Sequence, residues 1–193
     1  MNPILVDFPE SFESERLIIR APQPGDGAEM NAAIRETFDE LKIWMPWAQE
    51  IPTIEESEAN VRHARCRFLA REDLRLHLHL KDTNLFVGGS GLHRIDWDVP
   101  MFEIGYWCRK RFQRQGYITE STEAITKFAF EVLGAKRVEI RCNPNNVRSR
   151  RIPERLGFEL EGTLRNDALS TSGELRNTLV FAKIQMPDGS VDT

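Results

Sequence analysis

The chain has 193 residues, 40% of them apolar, with 26 basic and 30 acidic side chains and a formal net charge of -4. That length suits one domain with its own core, and the negative balance argues against general coating of nucleic acid. No run approaches the roughly 18 apolar residues of a membrane span, and the stretch Met1–Asp7 lacks the basic and long apolar segments of a secretory signal.

In chain order, Glu15–Ala21 reads as a first strand, and Pro22, Pro24 and Gly25 as a turn. Asp26 to Phe38 is expected to be helical, with Asp26 near the cap, and Lys42–Trp47 is a loop rich in aromatics. Thr53 ahead of Glu55 and Glu56 opens a second helix to about Arg71, with Val61, Ala64 and Phe68 as its apolar stripe. Leu74–Lys81 alternates leucine with polar residues and reads as a half-buried strand. Leu85–Asp96 is the next strand, its Gly88, Gly89 and Gly91 marking a bulge or a close backbone approach. Met101–Cys108 is a fourth strand. After Gly116 comes an amphipathic helix with Ile125, Phe128, Ala129 and Val132 on one face, ended by Gly134. Lys136–Cys142 is a strand. Asn145 or Asn146 can cap a short helix carrying Ile152 and Leu156, with Gly157 just past its end. Phe158–Leu164 and Glu174–Ile184 are the last strands, around an Asp/Ser/Thr/Gly loop, and residues 185–193 form a frayed tail.

This order predicts a mixed α/β (α+β) domain with a mostly antiparallel sheet of about seven strands and one strand–helix–strand unit that needs a parallel crossover. No linker or repeat divides the chain, so residues 1–193 are expected to form a single domain with its core at about 14–184. Cys66, Cys108 and Cys142 are odd in number and far apart. They fit neither a disulfide framework nor a zinc motif, and a reducing cytoplasm is the simplest setting.

Charge is unevenly spread. From Arg109 to Arg155 there are 12 basic and 5 acidic residues, a net of +7, and the remainder carries 14 and 25, a net of -11. A solvated helix face explains such a run, and so does a locally held polyanion. Within it, Gln113-Arg114-Gln115-Gly116-Tyr117-Ile118-Thr119 is a glycine-centred turn feeding a helix N-terminus. Free backbone N–H groups converge there, which suits a pyrophosphate.

Taken together these elements resemble the GNAT superfamily of acetyl-CoA-dependent N-acetyltransferases, and more closely its RimJ/RimL-type branch, which acetylates N-terminal amines of ribosomal proteins. The landmarks are Glu15-Arg16-Leu17-Ile18-Ile19-Arg20, Trp44-Met45-Pro46-Trp47, Glu103-Ile104-Gly105-Tyr106-Trp107, Gln113-x-x-Gly116, Asn146-x-x-Ser149, and Leu156-Gly157-Phe158 with Glu161-Gly162. The resemblance covers about Ser14 to Ile184. It implies that residues 113–119 hold the CoA pyrophosphate, although Ile118 stands where the family has a small residue. It also implies a sheet splayed between the fourth and fifth strands, with the pantetheine arm bonded to main chain near Tyr106, Trp107, Cys108 and Arg109. Arg109, Arg111, Arg114, Arg148 and Arg151 are candidates for the phosphates. Asn146 caps its helix or bonds the pantetheine, and Trp44 and Trp47 line an acceptor pocket or plug the core beneath their loop.

The implied chemistry is attack of an amine on a thioester. An α-amine, with a pKa of about 7.7–8.0, is roughly a tenth neutral at pH 7, whereas a lysine at about 10.4 is neutral at only about 0.04%. An α-amine therefore needs only a modest base. Ser149 matches the family position that protonates the CoA thiolate, or else it merely begins a helix. Glu103 can take the amine proton, or else it is a structural charge beside an arginine. Asp167, in the loop after the sixth strand, is the alternative base. His77, His79 and His93 lack a nearby acidic ligand in the sequence, so no metal is expected. Cys108 lacks an assigned histidine partner for a nucleophile. A small-molecule amine is the alternative acceptor, a non-catalytic acyl-CoA-binding module the alternative class, and a homodimer a compatible assembly. The turn lacks the Gly-Lys-Ser/Thr ending of a P-loop.

Overall fold

The computed structural model describes residues 2–186 and 188–192. Eight strands form one sheet: β1 (Ser11–Glu13), β2 (Leu17–Arg20), β3 (Leu74–Leu80), β4 (Phe86–Asp96), β5 (Met101–Cys108), β6 (Arg137–Cys142), β7 (Glu159–Leu169) and β8 (Leu175–Ile184). Their order across the sheet is β1-β2-β3-β4-β5-β6-β8-β7. The eighth strand, beyond the seven expected, is β1, a three-residue edge strand too short to carry a readable alternation. Neighbours run antiparallel except β5 and β6. Those two are joined through α3 (Tyr117–Glu131), as a parallel crossover demands.

The helix α1 (Gly27–Trp44) runs well past the expected Phe38, so the segment expected as an aromatic loop begins on its last turn. Asp26 stands at its N-cap position, but its side chain makes no capping bond. Its carboxylate instead holds Arg20 at 2.8 and 2.8 Å, His77 Nδ1 at 2.8 Å and the Gln23 N–H at 2.9 Å. Glu58 of α2 (Ile54–Leu69) serves the helix start, accepting the N–H groups of Gly25 and Gly27. A capping box opens α2 itself: Thr53 Oγ1 accepts the Glu56 N–H at 3.1 Å, and the Glu56 carboxylate accepts the Thr53 N–H at 2.7 Å.

One apolar cluster packs Ile125, Phe128 and Ala129 of α3 against Leu74, Leu76 and Leu78 of β3 and Phe102 and Ile104 of β5. A second packs Met30, Ala33, Ile34 and Leu41 of α1 with Val61 of α2 around Phe86, with Trp107 alongside. β3 is therefore covered on both faces rather than half-buried. Its two histidines are 1% exposed, each edge-on to the Phe86 ring. The glycines of β4 mark a close approach: a Cβ on Gly89 would come within 2.6 Å of the Trp107 indole nitrogen.

Past β8 the expected frayed tail folds back. Gln185 bridges to Val191, and Asp192 accepts the Ile184 N–H at 2.7 Å. Met1, Pro187 and Thr193 lie outside the described residues.

Candidate active site

Three elements meet where β5 and β6 part. The parallel register covers only Met101↔Arg137, Phe102↔Val138 and Glu103↔Glu139. Beyond it β5 keeps its bond to β4 as far as Cys108, and β6 stays with β8 as far as Cys142. Among the described residues, the edges of Ile104–Cys108 and Ile140–Cys142 that face each other have no strand partner. A cavity of about 190 Å³ fills this opening, lined by Gly105, Tyr106, Asn146, Ser149 and, from the far wall, Trp44.

On one side lies the turn ahead of α3. Arg114 (φ +61°) and Gly116 (φ +85°) are left-handed, which brings the chain round into the helix. A side chain at Gly116 would be strained. Among the described residues no protein oxygen accepts the N–H groups of Arg114 through Thr119. Phe112, buried, anchors the turn from below, and the Tyr117 ring stands edge-on to it at 6.1 Å. Ile118, the departure from the small residue, packs its side chain against the core.

Side chains brace this turn from behind. Arg16 Nε meets Glu120 Oε2 at 2.7 Å, its Nη1 donates to the Gln115 carbonyl at 3.1 Å, and its guanidinium lies 4.3 Å from the Tyr117 ring centre. Glu120 Oε1 also accepts Ser14 Oγ–H at 2.6 Å and the Arg16 N–H at 2.7 Å. From α1, Thr37 Oγ1 accepts the Lys110 N–H at 3.0 Å and Glu40 accepts Gln113 Nε2 at 2.6 Å.

Glu36, also on α1, corrects the expectation for two arginines. Its Oε2 accepts Arg109 Nε at 2.8 Å and Arg111 Nη2 at 2.6 Å. The Arg111 guanidinium first, and Arg109 with it, holds the Glu36 carboxyl down at about 2 against the cost of burial. The Arg109 N–H bonds Val87 at 2.7 Å, so neither its main-chain donor nor its charge is available. Gln113 is likewise engaged, its Oε1 accepting Arg148 Nη1 at 3.2 Å. Arg114, Arg148 and Arg151 stay exposed.

Across the opening is α4 (Val147–Arg155). Asn146 caps it, its Oδ1 accepting the Ser149 N–H at 3.1 Å. Gly157 (φ +71°) ends it in a Schellman arrangement: Phe158 N–H donates to Pro153 C=O at 3.0 Å and Gly157 N–H to Glu154 C=O at 3.4 Å. Pro153 lies inside the helix and has no N–H, so the Ser149 carbonyl four residues back has no helical donor. The Tyr106 hydroxyl fills the vacancy from β5, donating to that carbonyl at 2.9 Å, and accepts from Ser149 Oγ–H at 3.3 Å. Burial first pushes the Tyr106 phenol well above its ordinary range, so it stays protonated. Burial also pushes the Cys108 thiol up to about 12, which leaves it neutral and a poor nucleophile at physiological pH.

Trp44 and Trp47 separate. Trp44 lines the cavity with Met45 and Pro46, beneath the β7–β8 hairpin whose Thr171 Oγ1 donates to the Ile43 carbonyl at 3.0 Å. Trp47 instead lies 6.1 Å from Trp107, which packs 5.7 Å from Phe86, so it covers the sheet.

Glu103 does not line the first cavity. With Asp167 it lines a second, of about 290 Å³, whose walls include Arg94, Arg141 and Arg176. Arg141 and Arg176 line both. Glu103 Oε2 is buried without a hydrogen bond, with Arg94 at 3.4 Å and Arg141 at 3.6 Å. Burial raises its pKa, and the two arginines oppose that rise. Asp167 belongs to β7, not to a loop: Asn166 (φ +53°) sits in a register shift, its N–H bonded to Asn177 at 3.0 Å. Arg141 and Arg176 escaped the sequence reading. Alternation with Glu139, two residues earlier on the same strand, was the signal for Arg141, but nothing local marks Arg176.

The histidines form a pin rather than one cluster. Asp26, His77 and His79 offer ligand atoms within 4.8 Å of one another, so an acid is in fact near, yet Arg20 already neutralises that acid. His93 pairs elsewhere, with Asp73 at 2.8 Å.

Residues 16–159 match the family model described as an acetyltransferase (GNAT) domain. YdaF of Bacillus subtilis (strain 168), a provisionally named ribosomal N-acetyltransferase, is 31% identical over 87% of this chain and 90% of its own. The ribosomal-protein-serine acetyltransferase of Escherichia coli (strain K12) is 27% identical over 64% of this chain and 70% of its own. Among solved structures, RimL, a ribosomal L7/L12 α-N-protein acetyltransferase in complex with coenzyme A, superposes with a TM-score of 0.84 at 21% identity, over 91% of this chain and 98% of that one. No described helix is long and apolar enough to cross a membrane. A sheet parted beside a helix N-terminus with open N–H groups and a match over most of the chain lead to one conclusion: the protein belongs to the GNAT acetyltransferases, enzymes whose acyl donor is acetyl-CoA.

Proposed function

We propose that this acetyltransferase modifies the N-terminal α-amine of a protein, with Ser149 as acid and Glu103 as base, as one catalytic unit spanning the chain. The residues present suit the donor: open N–H groups from Arg114 to Thr119 offer a cradle for its pyrophosphate, and the unpaired edge of β5 offers main chain for its arm. Acetyl-CoA supplies a thioester carbonyl open to attack by an amine. Ser149 sits at the N-terminus of α4, where the helix dipole favours a developing thiolate, and its hydroxyl relays a proton to the departing sulfur, taking one up from water as it gives its own. Tyr106 orients that hydroxyl. Glu103 takes the proton the amine gives up, and its pKa, raised by burial, makes it a stronger base than an ordinary carboxylate.

The observation that carries this reading is the pair of cavities sharing Arg141 and Arg176, with Ser149 on one and Glu103 on the other. An amine held where the two cavities adjoin at Arg141 and Arg176 would have Ser149 on one side and Glu103 on the other. The preference for an α-amine follows from its neutral fraction, about a tenth at pH 7 against about 0.04% for lysine. Similar proteins named for ribosomal-protein acetylation support a protein acceptor. Release of free thiol from acetyl-CoA, followed with peptides bearing a free N-terminus and with the same peptides blocked there but carrying lysine, tests it. Saturable release is expected with the first set. Release only with the blocked set would end the α-amine reading.

The assembly is proposed to be a homodimer in the cytoplasm. β7 is an edge strand exposed along nearly its whole length, and its hairpin presents Leu160, Leu164, Leu169 and Leu175. The three cysteines are free. Light scattering giving the monomer mass at micromolar concentration would remove the dimer.

A further inference from the structure

The second cavity holds more charge than proton transfer needs. Three guanidiniums, of Arg94, Arg141 and Arg176, face two carboxylates, of Glu103 and Asp167. Two of the arginines are accounted for. Arg94 faces Glu103 at 3.4 Å, and Arg141 meets Glu139 at 3.0 Å and Glu103 at 3.6 Å. Arg176 is different. Its Nη1 is steadied by Thr178 Oγ1 at 2.9 Å and the Asn177 carbonyl at 3.3 Å, yet among the described residues no carboxylate pairs with it. Asp167, on the same wall, also enters no ion pair among the described residues.

Arg176 also reaches the first cavity, where Ser149 and Tyr106 lie. A group attached a few bonds from an amine held between Ser149 and Glu103 therefore meets a fixed, uncompensated guanidinium. Guanidinium donors in a fork match a carboxylate, and a like charge repels a second ammonium. Across the rest of the surface the acidic excess would draw a cationic acceptor, but the walls of this cavity are cationic on balance.

We propose that the second cavity is a carboxylate subsite: the acceptor carries a carboxylate a few bonds from the amine it presents, bound by Arg176 with Arg141 beside it, while Asp167 faces the amine end. For a peptide this is an acidic side chain in the first residues; for a small acceptor it is an amino acid-like carboxylate. The inference rests on the amine lying between Ser149 and Glu103.

The test uses acid/amide pairs of equal shape in two series: peptides with a free N-terminus and Asp or Asn at the second position, and 4-aminobutyrate beside its amide. In whichever series turns over, kcat/KM for the acid is expected to exceed that for the amide by about tenfold or more, the worth of a charge-assisted contact. Arg176→Gln should bring the ratio near one, and Arg176→Lys should keep part of it. Melting curves establish that the variants fold. Equal rates for acid and amide, or a preference that survives Arg176→Gln, overturn the subsite. Turnover confined to the small amines retires the α-amine reading instead, and leaves the acid/amide ratio of that series to judge the subsite. Calorimetry of the same pairs against protein with CoA reads the subsite without turnover, and equal affinities there also overturn it.

Discussion

The turn before α3 and the paired cavities beside β5 share no residue, and they are built from different materials. The turn offers main chain: six consecutive N–H groups without an acceptor among the described residues, held by left-handed residues and braced by Arg16, Glu36 and Glu40. The cavities offer side chains drawn from α1, α4 and five strands. A backbone cradle does not depend on which side chains it carries, provided its φ/ψ angles are kept, so the Ile118 departure is absorbed by the core. Side-chain walls have no such tolerance. On the proposed reading of the turn, donor binding rests on main chain that tolerates substitution, and acceptor choice is where the chain can differ.

Perturbing each side separately should give different signatures. The largest effect is expected from Ser149→Ala, with kcat down about 100-fold or more and the KM for acetyl-CoA little changed, because proton delivery is lost while the N–H of residue 149 still takes its cap. Stopped-assay thiol release measures it, and unchanged kcat removes Ser149 as the acid.

Tyr106→Phe should cost about 1–3 kcal/mol in urea unfolding, since it leaves the Ser149 carbonyl without a donor. Pro153→Ala restores an N–H four residues on. The double variant should therefore lose less than Tyr106→Phe alone, a non-additivity that two independent sites would not show.

Gly116→Ala attacks the cradle. Forcing a Cβ into φ +85° costs about 1–2 kcal/mol, or roughly 5- to 30-fold in acetyl-CoA affinity by calorimetry, with kcat at saturation nearly retained. A fall in kcat with unchanged affinity would show the turn acting on chemistry rather than on donor binding.

Glu103→Gln is expected to lower kcat less than Ser149→Ala does, by about tenfold at pH 7, the share of α-amine that must lose its proton. A base with a raised pKa is competent only above the ordinary carboxylate range, so the wild-type rate should climb with pH through that raised value. The climb reflects Glu103 among Arg94, His93, Arg141, Glu139, Asp167 and Arg176. In the variant the Glu103 limb disappears, and the deficit shrinks once the amine is itself neutral. An unchanged profile, with Asp167→Asn losing the rate, moves the role to Asp167.

Local pattern determined much of this. The period-3.6 stripe of α3, the alternation of β5, the glycine at 116, the asparagine cap at 146 and the glycine stop at 157 each answer to a rule operating within a few residues, and each was readable without a fold. Their order, with the landmark motifs, carried the resemblance to the acetyl-transfer family. Where the rule is long-range the sequence was silent or misleading. Arg109 and Arg111 look like phosphate ligands until Glu36, 73 to 75 positions earlier, is seen to hold them. Trp44 and Trp47 are three residues apart yet serve a cavity wall and a sheet cover. Tyr106 reads as a packing residue unless Pro153 is known to leave a carbonyl open across the gap. Backbone conformation and capping are decided by near neighbours, so they are written along the chain. Whether a charge is spent on a structural partner or left facing a ligand depends on what the fold brings beside it, and only the assembled sheet decides that.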